Sequence, residues 1–184
     1  MSKAIFAMVL LVAACSLAFA DTSGSATATI VATVNPNVAV KAQTPIVDAG
    51  TVQMGDFSAT IDFRVDANKE SVALAVEASQ LYKGDDPANK EVAPIPLNLT
   101  KGVEIAPTNA NPVSGGSNVA SFVGEGSPVG AYPTMATKAI LFESSQNNRF
   151  SQDVFVKVTW TQDDPEKPMG QYSGKVRFTA FLMP

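Results

Sequence analysis

The sequence contains no histidine and a single cysteine, Cys15. The first absence removes the commonest general base, the commonest metal ligand and any histidine-based triad. The second matters because Cys15 sits in a segment that reads as a removable leader. Without that segment the chain has no thiol nucleophile, no thiolate metal site and no disulfide. Stability must then come from packing and strand pairing. Charge is also sparse: charged residues make up 16% of the chain and the net charge is −4. No long basic run is present, which argues against nucleic acid as a partner. No glycine loop leads from a strand into a helix to cradle phosphate, and Ser114-Gly-Gly-Ser117 reads as a flexible loop.

The remaining candidates for chemistry are weak. Asp85-Asp86 and Asp163-Asp164 are adjacent carboxylates in turn-like segments, without the spacing of a calcium loop. Solvated turn residues explain them better. Asn98-Leu-Thr100 matches a glycosylation sequon, a short motif that decides nothing alone. Trp160 and Tyr172 are the material of a sugar platform, but Trp160 shares a strand face with three valines and reads as core. No catalytic set, metal site or cofactor is expected, and an enzyme is the weakest reading.

Residues 1–20 read as a signal peptide. Lys3 supplies the positive start, residues 4–17 the apolar run, and Ala18-Phe-Ala20 the small-x-small cleavage site before Asp21. The run is short for a membrane-spanning helix, which needs about 20 apolar residues. A rival reading is lipoprotein processing at Val12-Ala-Ala-Cys15; the apolar run continues past Cys15, as in an ordinary leader. Removal at Ala20 leaves about 164 residues, enough for one domain.

The body reads as strands. In the run 57–65, Phe57, Ala59, Ile61, Phe63 and Val65 share one face, and Ser58, Thr60, Asp62 and Arg64 the other. The runs 71–78, 153–160 and 172–182 alternate in the same way. Weaker strands are expected at 38–41, 46–52, 95–99, 118–123 and 139–142. Residues 66–70 are expected to close a hairpin, and residues 163–170, with two prolines and a glycine, to separate the last two strands. Residues 107–133 read as a long irregular connection holding one short strand. About ten short strands with polar turns predict an all-β sandwich.

The N-terminal stretch Ser25-Ala-Thr-Ala-Thr-Ile-Val-Ala-Thr-Val-Asn35 is the most telling. Ala26, Ala28, Ile30, Ala32 and Val34 fall on one face; Thr27, Thr29, Val31 and Thr33 fall on the other. Burying Ile30 and Val34 would contribute roughly 1.5–3 kcal/mol each. Pro36 cannot donate a ladder hydrogen bond, so it interrupts pairing and is read as a hinge. Such a strand can pair with its own sheet or with that of another molecule.

The segment Ala28-Thr-Ile-Val-Ala-Thr-Val-Asn-Pro36 resembles the donor strand of major subunits of colonisation-factor fimbriae, the alpha-class, alternate chaperone–usher fimbriae of Gram-negative bacteria. The last strand, Gly170-Gln-Tyr-Ser-Gly-Lys-Val-Arg-Phe-Thr-Ala-Phe-Leu182, resembles the family's final Gly-x-Tyr-x-Gly strand. The likeness covers about thirty residues and is architectural between them. The irregular stretch 107–133 departs from the family, and spore-coat-U-like archaic pilins are near neighbours that commonly carry cysteines. The resemblance implies a donor-strand extension at 21–36 and an incomplete immunoglobulin-like pilin domain at 37–184. Each subunit would donate Ala26, Ala28, Ile30, Ala32 and Val34 to a groove on the next. By position in the last strand, Tyr172, Val176 and Phe178 are expected to line that groove. The implied partners are identical or related pilins, a periplasmic chaperone, an outer-membrane usher and a tip adhesin. The implied destination is the cell surface, reached through the periplasm, as an adhesive fimbrium. The alternative is a self-contained secreted sandwich that binds carbohydrate or protein and keeps its first strand at home.

Overall fold

A computed structural model describes residues 28–132 and 135–183. The expected leader, Cys15 and Ala26 lie outside the described residues. The chain divides after Val34 into two units.

Residues 28–34 carry no strand assignment, and Ile30 and Val34 are 93% and 82% exposed. From Asn35 onward the chain is almost wholly β, with one short 3-10 turn at Val113–Gly115 among the described residues. Twelve strands follow in order: β1 (Val38–Ala42), β2 (Gly55–Ala67), β3 (Ser71–Ala78), β4 (Tyr82–Lys83), β5 (Val103–Pro107), β6 (Ala110–Pro112), β7 (Val119–Ala120), β8 (Gly124–Gly126), β9 (Met135–Ser144), β10 (Phe150–Gln162), β11 (Tyr172–Ser173) and β12 (Val176–Leu182). Every strand pair is antiparallel. One sheet has the order β1-β2-β10-β5-β7. The other runs β12-β3-β9-β6, with β8 also on β9, and β11 and β4 form a separate ribbon.

The two sheets pack face to face because each main strand is two-faced. Ile61, Phe63 and Val65 of β2 and Val154, Val156, Val158 and Trp160 of β10 are buried on one side of the core. Val72, Leu74 and Val76 of β3 are wholly buried on the other. The layers meet through Phe63 and Phe178, whose rings stack at 4.6 Å. They also meet through the Trp160 indole N–H, which donates to the Ser79 carbonyl at 3.0 Å. Trp160 is therefore core, as its strand face predicts.

Several expectations change. Residues 66–70 do not close a hairpin: β2 and β3 belong to different sheets. The turn is fastened to both, since Asn68 N–H donates to the Asn37 carbonyl and the Glu70 carbonyl accepts from Ser144 N–H. Residues 46–52 form no strand. Gly50 takes φ +76° and its N–H donates to the Asp48 carboxylate at 2.8 Å, which turns the chain. The run 95–99 makes only isolated bridges, at Ile95 and Leu97, and 118–123 is reduced to β7. Residues 107–133 hold more structure than one short strand, namely β6, β7, β8 and the 3-10 turn. The expected final strand splits at Gly174. A Cβ there would sit 2.7 Å from Leu81 and 2.9 Å from the Gln80 carbonyl, so the chain passes too close to 79–81 for any side chain.

Candidate functional site

The site grows out of the phase of two ladders. Ser79 N–H donates to the Lys175 carbonyl, which aims the main-chain groups of Lys175 at β3. Direction alternates along a strand, so Arg177, Thr179 and Phe181 bond β3. The N–H and C=O groups of Val176, Phe178, Ala180 and Leu182 then point to the other edge. Among the described residues no strand pairs with that edge. The same four residues stand opposite Ala78, Val76, Leu74 and Val72, which are buried, so their side chains face the core.

β1 repeats the arrangement from the other sheet. Asn68 N–H donates to the Asn37 carbonyl and Gln43 N–H to the Asp62 carbonyl, so the odd-numbered residues bond β2. The main-chain groups of Val38, Val40 and Ala42 point away from β2, and no ladder joins them among the described residues. Their partners Ala67, Val65 and Phe63 are buried, which places their side chains on the inner face. Yet Val40 remains 38% exposed and Ala42 is exposed as well. β1 and β12 lie close together without pairing. One side of the sandwich therefore presents inward-facing apolar side chains together with unpaired main-chain donors and acceptors. An extended segment bringing alternate apolar residues could satisfy both.

The outer face at β12 is polar and fastens the strand to its neighbours. Arg177 pairs with Glu77 of β3, and Ser127 N–H donates to the same carboxylate at 2.9 Å. The Arg177 hydrogen bond holds the Glu77 carboxyl below its ordinary range. Around β11, the Asp85 carboxylate accepts from the Tyr132 hydroxyl and from Ser173 Oγ (2.8 Å), with Lys175 Nζ at 3.7 Å. Tyr132 is buried, and desolvation followed by its bond to Asp85 pushes its phenol up to about 12.

Of the expected groove residues, Val176 and Phe178 lie on β12 with their side chains inward. Tyr172 lies in β11, opposite Lys83 of β4, and donates its hydroxyl to the Pro168 carbonyl at 2.8 Å. It stands outside the β12 edge. Sequence reasoning missed Ala180, Leu182, Val38, Val40 and Ala42. Alternation was legible for Ala180 and Leu182, but nothing local marks β1 and β12 as neighbours. The expected donor residues Ala28, Ile30, Ala32 and Val34 are exposed and unpaired among the described residues. No group of three or more His, Cys, Asp or Glu side chains able to hold a metal occurs among the described residues. The site thus defines an antiparallel β protein in which, among the described residues, β1 and β12 each leave one edge unpaired. No family model matches this chain, and no curated protein and no solved structure matches it either.

Proposed function

We propose that this chain is a structural fimbrial shaft subunit that polymerises by donor-strand exchange. In this reading it is an incomplete immunoglobulin-like sandwich. On that reading β1-β2-β10-β5 would take the places of strands A, B, E and D, and β3-β12 those of C and F, with β9 beside β3 as an addition between D and E. Strand G would lie beside β12, where no strand pairs among the described residues. The observation that carries the proposal is this edge, where inward apolar side chains and outward main-chain groups belong to the same residues of β1 and β12. Residues 26–34 of a neighbouring copy would fill it, with Ala26, Ala28, Ile30, Ala32 and Val34 inward and the threonines outward.

Head-to-tail donation is a heterologous contact, which builds an open filament. An open edge beside uncovered core is also an aggregation hazard. That accounts for a periplasmic chaperone holding the edge before an outer-membrane usher adds the subunit to the fimbrium. The reading assigns no catalytic step, cofactor or metal.

The test deletes residues 25–34 and keeps residues 1–20. Electron microscopy and size-exclusion chromatography follow polymer formation. The expected truncated chain is folded, still binds a partner that supplies an edge strand, and forms no filament. A truncated chain that polymerises normally, or one that unfolds because it has lost a strand of its own sheet, would sink the proposal.

A further inference from the structure

Asn68 sits in the turn that carries the chain from one sheet to the other, and its side chain spans Pro36. Its Oδ1 accepts from Asn37 N–H at 2.7 Å, and its Nδ2 donates to the Asn35 carbonyl at 2.9 Å. Its own N–H donates to the Asn37 carbonyl at 3.2 Å. The turn is itself held. Lys69 Nζ donates to the Met183 carbonyl at 2.7 Å, and the Glu70 carboxylate accepts from Asn148 N–H at 2.6 Å. Residues 35–37 thus have their backbone fixed on both sides of a proline whose ring already locks φ. An amide side chain suits this position because its carbonyl oxygen accepts and its neighbouring NH2 group donates, one to each side of the proline.

We propose that Asn68 is a positioning residue that clamps residues 35–37 into a rigid collar. The pivot of the N-terminal extension then lies before Asn35 and not at Pro36. The chain divides after Val34, immediately before the clamped residues. The functional consequence rests on the donor-strand reading: the collar sets the angle at which each subunit hands its extension to the next. The collar itself does not depend on that reading.

Hydrogen exchange on the full chain, unassembled and as polymer, tests this with three variants. Asn68→Ala removes both side-chain bonds. Asn68→Asp keeps an acceptor for Asn37 N–H but sets a carboxylate against the Asn35 carbonyl. Pro36→Ala leaves the clamp intact. Exchange in a peptide covering residues 35–42 is expected to rise roughly 2- to 10-fold in Asn68→Ala, the range that one exposed hydrogen bond supports. It should rise less in Asn68→Asp and hardly at all in Pro36→Ala, with protection of 55–67 unchanged in all three. In filament images, Asn68→Ala should broaden the angle between successive subunits. Unchanged exchange at 35–42 in Asn68→Ala overturns the collar, as does equal loosening by Pro36→Ala. If the unaltered chain forms no filament while Asn68→Ala still loosens 35–42, the donor reading falls and the collar stands.

Discussion

β10 and β12 are both alternating strands with apolar inner faces, yet they have opposite standing in the molecule. β10 is paired on both edges, to β2 along its whole length and to β5. Its inner residues Val154, Val156 and Val158 are wholly buried and Trp160 is 3% exposed. Among the described residues β12 is paired on one edge only; of its inner residues Phe178 and Ala180 are buried, whereas Val176 and Leu182 at its two ends are half-buried. Alternation says which face a residue takes. It does not say whether the strand's second edge has a partner, and in this chain the second edge carries the functional proposal.

The comparison can be broken first by removing core volume. Leu74, wholly buried on β3, should cost about 2–5 kcal/mol of unfolding free energy as Leu74→Ala, because the packed neighbours cannot collapse onto the void. Leu182→Ala at the open edge should cost the unassembled chain under about 1.5 kcal/mol yet weaken polymerisation strongly. Urea titration and a polymerisation assay separate the two. Equal destabilisation by both would mean that the edge is covered within the monomer.

A backbone contrast sharpens the point. Phe181 N–H bonds β3, whereas Leu182 N–H points to the open edge. Phe181→Pro should therefore destabilise the unassembled chain by about 1–3 kcal/mol, the cost of the lost ladder bond and its orphaned partner. Leu182→Pro should leave it folded, since proline is tolerated where an edge N–H faces solvent, while blocking strand addition. Thermal melts of both, beside filament yield, give the outcome. Leu182→Pro filaments at normal yield would count against β12 as the acceptor.

The smallest effect concerns the polar fastening of β11. The Tyr132 phenol is raised from 10.0 to about 12 in the folded chain. An unfolded chain ionises it first, so its contribution is complete below pH 10 and is lost as pH rises toward about 12. Tyr132→Phe should be slightly less stable at neutral pH and should show a shallower alkaline fall in the urea midpoint. An alkaline fall identical to that of the unaltered chain would remove Tyr132 from the account.

Much of the fold was legible because burial writes itself as period two. The runs at 57–65, 71–78 and 153–160 all lie within strands with the expected face inward. Strands without a clean period, β5, β6 and β8, were missed: β5 and β6 pair with partners distant in sequence, and β8 is a three-residue Gly-Glu-Gly segment with no apolar face to read. Gly50 and Gly174 ended or split expected strands through φ and close approach, which periodicity does not register.

The candidate site divides in the same way. Sequence alone determined which side chains of β12 face the core, that residues 28–34 alternate, and that Pro36 cannot continue a ladder. It could not assign the turn at 66–70, which joins two sheets where a hairpin was expected. Only the tertiary structure decided that β1 and β12 lie side by side without pairing among the described residues, and that Asn68 reaches across Pro36. The physical reason is common to both: a side chain's face is set by its immediate neighbours in the chain, whereas an edge acquires or lacks a partner through contacts far apart in sequence.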